Sequence, residues 1–453
     1  MTGHRTDVPA DDVPAAAPAA ADAGSAAVGS APAAAGSAPS PERVGRGFVA
    51  GIALASLGLW AALYTPVQVL LARQLEVFSP GHKEASLALV TGVGALVALV
   101  ANPLVGALSD RTTSRFGRRG PWLAGGSLLG AAGLGLLAGQ HTVAGLMAGW
   151  VMVQLGLSAA QAALVAVVPA RVPVSQRAVV SAWVGATQPL AVLVGTAAVT
   201  GLADDAAGYL VLLVLLLAAQ LPFLRSLREA PAKAAAERSP AAGGRIGPRA
   251  LLRSFLISPR RHPDFALAWL TRLLIQLGNA TGTLYLLYFL RDRIHYETLF
   301  PGRRAEQGLL VLVGLYSVGI VLAAFAGGVV SDRIGRRKAP VTAAGLVIAV
   351  GAGLLAAVPT WPVAIVAAAL FGLGYGVYVS VDQALITEVL PDPETYGKDL
   401  GVINVAAALP HVLGPAIAAL LVTHLGGYPA LFGTTAVLSA LGAVLVQRIR
   451  GVR

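Results

Sequence analysis

The chain has no cysteine among its 453 residues. That absence excludes disulfides, thiol catalysis and thiolate metal sites. Charge is scarce as well. Asp, Glu, Lys and Arg make up 12% of the residues, against about 25% in an ordinary soluble domain. The chain lacks a G-x-x-x-x-G-K-[ST] phosphate loop, which argues against an ATP-driven pump. It lacks an H-E-x-x-H pair or other metal-ligand cluster, and a Ser-His-Asp set on a nucleophile elbow. Neither enzyme chemistry nor a cofactor or metal is therefore expected.

What the chain has instead is apolar length. Hydrophobic residues make up 56% of it, and they come in runs of roughly 18 to 25, enough to cross about 30 Å of hydrocarbon. Twelve such spans are expected. The first six lie near Gly47–Ala72, Ser86–Leu108, Trp122–Gly139, Ala144–Val168, Ala178–Leu202 and Ala207–Leu224. The second six lie near Pro263–Leu290, Gln307–Val330, Pro340–Val358, Trp361–Leu390, Leu400–His424 and Tyr428–Val446.

The formal charge of +11 reports topology rather than nucleic-acid binding. With the N-terminus on the cytoplasmic side, all but seven of the 33 Lys and Arg residues fall in inner tails and loops. Arg73, Lys83, Arg291, Arg293, Arg303 and Arg304 fall in outer loops, and Arg272 lies inside a span. This positive-inside bias places both termini in the cytoplasm of a multi-pass inner-membrane protein. Residues 1–45 are mostly Ala, Pro, Gly and Ser and bury too little apolar surface to order, so a disordered tail is expected there. They lack the basic and apolar regions of a signal peptide. Residues 225–262, basic and rich in Pro, Ala and Gly, read as a cytoplasmic linker between a six-helix bundle at 46–224 and another at 263–453.

The halves repeat one another. A Ser-Asp-Arg box with a following Gly-Arg-Arg occurs at Asp110-Arg111 with Gly117-Arg118-Arg119, and again at Asp332-Arg333 with Gly335-Arg336-Arg337. Asp110 and Asp332 are 222 residues apart, and the segments Ser158–Pro169 and Ser380–Pro391 align at the same offset. Two segments sharing one offset make a duplication with parallel halves, related by an axis along the membrane normal.

These boxes resemble the G-x-x-x-D-R-x-G-R-R loop of the major facilitator superfamily, closely in the stretch from Gly328 to Arg337. The first copy is lengthened by Thr112 to Arg115, and this longer form resembles the glycoside–pentoside–hexuronide cation symporters and the sucrose/proton transporters. The resemblance implies an all-α bundle of twelve transmembrane helices that works by alternating access. It also implies that Asp110, Arg111, Arg118 and Arg119, with Asp332, Arg333, Arg336 and Arg337, latch the cytoplasmic side. Two departures bear on mechanism. The first six spans lack the embedded carboxylates of melibiose-type symporters, and Gln188 stands before Pro189 where drug/proton antiporters have Gly.

The superfamily resemblance implies that helices 1, 4, 7 and 10 face a central cavity, and each carries a polar or aromatic stripe. Span 1 has Trp60, Tyr64 and Gln68; span 4 has Gln154, Ser158 and Gln161. Span 7 has Arg272, Gln276, Asn279 and Thr283; span 10 has Tyr375, Tyr378 and Asp382. Steps of three, four and seven put each set on one helix face. Such faces are costly in lipid, so they line a cavity or join packed helices. Arg272 and Asp382 each lie ~12 Å from the cytoplasmic end of their spans, given 1.5 Å per residue. They are expected to pair, as a coupling or substrate site or as a structural lock. Tyr285 and Tyr288, with Trp60 and Tyr64, offer faces for a sugar ring, and Asn404 and His411 are further candidates on span 11.

The expected activity is cation-coupled uptake of a sugar-like small solute, driven by a proton or sodium ion, by a monomer in contact with membrane lipid. The alternatives are proton-coupled efflux of a small organic compound and a non-transporting sensor or scaffold.

Overall fold

The computed structural model describes residues 44–112, 114, 119–202, 204–228, 262–334, 336–389 and 396–450. The tail up to residue 43 and most of the expected linker lie outside the described residues. Residues Arg225 to Arg228, expected in that linker, instead complete a helix.

Long helices account for nearly all of the described chain. The first, α1 (Arg46–Phe78), is an α-helix with a π-helical segment at Pro66–Leu70. It is followed by α2 (Lys83–Arg111), α3 (Gly120–Ala138), α4 (Val143–Arg171), α5 (Val174–Thr200) and α6 (Asp205–Arg228). The second set is α7 (Pro263–Leu284), α8 (Ala305–Ile334), α9 (Lys338–Ala357), α10 (Trp361–Val389), α11 (Tyr396–His424) and α12 (Gly427–Val446). Helix α7 continues, after a 44° bend at Tyr285, as Leu286–Asp292. Among the described residues eleven helices are long and apolar enough to cross a membrane, and the bent α7 makes a twelfth if its pieces are one span.

Local chemistry sets several of these boundaries. Thr142 caps α4 by accepting from the Gly145 amide at 3.1 Å. Pro121 and Pro263 stand in the first turns of α3 and α7, where a missing amide hydrogen costs nothing. The tight turn into α12 needs Gly426 and Gly427, with φ of 112° and 74°. Pro66 lies at the break in α1, where it can donate no backbone bond.

The expected duplication is visible in the packing. In the first half α1 packs on α5 and α6, α2 on α4, and α3 on α4 and α6. In the second, α7 packs on α11 and α12, α8 on α10, and α9 on α10 and α12. The halves meet where α2 packs on α11 and α5 on α8, two contacts that the repeat exchanges. Two matched glycines mark these seams. Gly92 of α2 faces the Val412 carbonyl of α11, and Gly314 of α8 faces Leu193 of α5. Close helix packing without side-chain bulk is how small residues join helices in lipid.

Candidate functional site

One end of the bundle carries Arg46 and Val446; the other, here the distal end, carries the connections 79–82 and 293–304. Polar residues gather in two places, midway along the helices and at the distal end.

The middle cluster centres on an ion pair. Arg272 Nη1 lies 3.0 Å from Asp382 Oδ2, joining α7 to α10. Both residues are buried, Arg272 being 6% exposed and Asp382 5%. The pair therefore forms as the helix depths predicted. Yet the contact is poorly aligned, and Arg272 Nε and Nη1 make no hydrogen bond among the described residues. Such buried donors are costly to leave unmatched.

Next to this pair, the phenol of Tyr375 donates to Gln276 Oε1 at 2.7 Å. Tyr316 of α8 donates to Asn279 Oδ1 at 3.1 Å and stacks on Tyr375 with ring centroids 6.2 Å apart. Tyr378 is buried beside Tyr375. From the first half, Trp60 stacks on Tyr64, whose hydroxyl accepts a 2.8 Å hydrogen bond from Gln188 of α5. Tyr64 stands close enough to Tyr316 and Tyr375 to act on them electrostatically. Of the residues expected on helices 1, 7 and 10, all but Gln68 and Thr283 thus come together. Tyr316 and Gln188 join them without having been singled out as site residues.

Other expected residues are placed differently. Gln154 packs against Gly94 of α2, inside the first half. Ser158 is buried, Gln161 is half-buried, and Gln68 has a buried Oε1 with no partner among the described residues. Thr283 bonds back to the Asn279 carbonyl. Tyr285 and Tyr288 sit at the distal seam, donating to the Glu84 and Ala72 carbonyls of the other half at 2.7 and 2.9 Å. His411 is exposed, and the Asn404 side chain lies outside the described residues.

The distal cluster is a run of alternating charge. Asp205 pairs with Arg73, whose Nε donates to it at 2.7 Å. Arg73 lies 3.9 Å from Glu306, which accepts from Arg291 at 2.7 Å. Arg291 also pairs with Glu76. Glu76 contacts Lys83 at 3.3 Å, and Lys83 reaches Asp292 at 2.7 Å, which accepts from Tyr428 at 2.8 Å. The run crosses between halves three times, at Arg73–Glu306, Arg291–Glu76 and Lys83–Asp292. Arg304 adds bonds to the Thr200 and Leu202 carbonyls of the first half.

The repeated boxes fold alike at the other end. Arg119 donates to Ser109 and Arg337 to Ser331, each within its own half. Arg333 and Arg336 are exposed, while the side chains of Asp110, Arg111 and Asp332, and all of Arg118, lie outside the described residues.

Comparison with known proteins gives the same architecture. The family model described as Major Facilitator Superfamily matches residues 49–311 and 302–453. The nucleoside transporter NupG has a similar structure, with a TM-score of 0.70 at 14% identity, covering 89% of this chain and 98% of that one. The human organic anion transporter MFSD10 (TETRAN) gives 0.63 at 19% identity, covering 89% and 100%. A POT family transporter solved with 5-aminolevulinic acid gives 0.71 at 12% identity, covering 90% and 97%.

Proposed function

We propose, from the premise that this chain belongs to the Major Facilitator Superfamily, that it moves a small polar solute by proton-coupled alternating access. The chain is a multi-pass membrane transporter, not an enzyme. The coupling ion, solute and direction are our reading. The observation that carries it is the buried Arg272–Asp382 pair, set among Gln276, Asn279, Tyr316 and Tyr375 in the middle of membrane-spanning helices. Charge at that depth is expensive unless it works or is paired. Here it is paired, and among the described residues Arg272 Nε and Nη1 keep donors that a ligand could use.

In this reading Asp382 takes the proton. The amides and phenols read hydroxyls, and the Trp60, Tyr64, Tyr316 and Tyr375 rings offer faces to a sugar-like solute. The solutes named for the structural neighbours, a nucleoside, an organic anion and 5-aminolevulinic acid, are likewise small and polar. With the termini cytoplasmic in an inner membrane, the distal charge run is an outer gate, closed in this structure. The arginine boxes are then the inner latch, as their family resemblance implies. Closing one gate while the other opens moves access between sides about the middle cluster.

The test is transport by the purified protein in proteoliposomes, screened over sugars and small organic compounds under imposed proton or sodium gradients. Asp382→Asn should abolish gradient-driven accumulation while sparing counterflow exchange. Equal loss of both in a well-folded variant would make the pair a structural lock. Expulsion instead of accumulation would favour the efflux alternative, and no movement of any solute the sensor.

A further inference from the structure

We propose that the solute carries a carboxylate, which Arg272 binds in place of Asp382 while Asp382 takes up the proton. This rests on the transport reading above and names its substrate class. Arginine presents five N–H donors in a planar fork suited to a carboxylate. Asp382 does not fill that fork: one oxygen stands 3.0 Å from Nη1, and among the described residues neither Nη1 nor Nε has a hydrogen-bond acceptor. Both atoms are buried in a residue only 6% exposed. An anionic oxygen would satisfy them, whereas a neutral hydroxyl would leave the charge poorly matched.

The surroundings leave few other groups to answer either charge. Helices α7, α8 and α9 pack on α10. The other charged residues of α7 and α9, Asp264 and Lys338, lie in the first turns of those helices. On α8, Glu306, Asp332 and Arg333 lie at the ends, and Tyr316 is the titratable residue of its middle. Tyr375 and Tyr378 face the pair from α10 itself. On α10 itself Glu388 lies in the last turn. Of the helices packed on α7, α12 carries Tyr428 in its first turn. Helix α11, also packed on α7, carries Lys398, Asp399 and His424 near its ends and an exposed His411 between them. Among the described residues Arg272 and Asp382 are thus each other's counter-ion. When a solute carboxylate occupies Arg272, Asp382 loses its counter-ion in a buried place and binds a proton. A new O–H bond forms on Asp382, and one anion and one proton enter together. The net charge of the site is unchanged. The two ligands strengthen each other's binding, and the linkage is reciprocal.

The stoichiometry separates this proposal from proton-coupled movement of a neutral solute, which would carry one positive charge per cycle. The experiment uses full-length protein and three matched pairs: gluconate with sorbitol, glycerate with glycerol, and benzoate with benzamide. Thermal stability of the purified protein should rise with at least one carboxylate, at tenfold lower concentration at pH 5.5 than at pH 7.5. It should not rise with the neutral partner. Arg272→Gln should remove the response. Arg272→Lys, which keeps the charge but loses the fork, should weaken it tenfold or more and serves if the glutamine variant does not fold. In proteoliposomes a pH gradient should drive gluconate or glycerate inward, and a membrane potential alone should not. Equal response to acid and neutral partner, no response to any of the three acids, or accumulation driven by potential would each overturn the proposal. Potential-driven accumulation of a neutral compound would do so while leaving the transport reading standing.

Discussion

The two halves of this molecule share a scaffold and differ in what they place at matched positions. In the first half a glycine of α2, Gly94, makes room for Trp150 and Gln154 of α4. In the second the sizes are exchanged: Tyr316 stands on α8, and Gly372 of α10 makes room for its backbone. The repeat offset equates Gly94 with Tyr316 and Trp150 with Gly372, so volume is kept while bulk changes sides. The exchange brings a tyrosine hydroxyl onto Asn279 in one half only. A second difference concerns charge. Gly58 stands against Ala219 of α6 as Gly278 stands against Ser439 of α12. That register sets Ile52 opposite Arg272, and the repeat sets Ala160 opposite Asp382. Ile52 and Ala160 are fully buried and apolar. The difference teaches that the duplicated scaffold needs no ion pair at this depth. In the proposed transport cycle the charge present at this depth has a chemical rather than an architectural role.

The largest expected effect comes from breaking that contrast. Asp382→Ala alone leaves the Arg272 charge buried without a counter-ion and should cost about 3–5 kcal/mol. The double variant Arg272→Ile with Asp382→Ala copies the first half and should regain most of that loss, while losing gradient-driven transport. Thermal unfolding of the two purified variants, side by side, decides the matter. A double variant no more stable than the single would mean that the pair holds α7 to α10 in a way apolar packing cannot replace.

Next in size is the exchange of bulk. A Cβ at Gly372 would stand 2.4 Å from the Tyr316 carbonyl oxygen, a backbone atom that cannot swing aside. Gly372→Ala should therefore destabilise the protein by about 1–3 kcal/mol. Gly353 of α9 has open space at its Cβ position, so Gly353→Ala should change stability by no more than about 0.5 kcal/mol. Similar melting temperatures for the two would mean that α8 and α10 do not pack as closely as described.

How far the sequence revealed this comparison depends on the interaction. Hydropathy and the repeated boxes sufficed for the twelve helices and their parallel halves, because spanning length and duplication are properties of the chain itself. Arg272 and Asp382 could be paired in advance because depth follows from helical rise. Tyr316 could not be singled out, since its matched position, Gly94, carries no polar signal and the contact to Asn279 depends on how α7 and α8 pack. The distal charge run was hidden for another reason. Arg73, Lys83 and Arg291 read as loop charges when counted for topology, and nothing local says that Glu76, Asp292 and Glu306 from opposite halves will meet them. For the reverse reason Tyr285 and Tyr288 read as ring platforms: the 44° bend in α7 carries them to the seam between halves.

The smallest expected effect tests that seam against the middle cluster. The chain has no cysteine, so one introduced thiol is the sole target for a membrane-impermeant maleimide. Gln276→Cys, placed in the middle cluster, should react from the side carrying the termini and be shielded from the distal side. Adding Lys83→Gln and Arg291→Gln removes two of the three crossings between halves, those to Asp292 and to Glu76. Partly exposed ion pairs are each worth little, about 0–1 kcal/mol. The shift should therefore be a several-fold rise in labelling from the distal side rather than a collapse of the fold. Helices α2 and α11, and α5 and α8, still pack across the seam and limit the opening. Unchanged distal labelling would mean that this packing, not the charge run, holds the distal end closed.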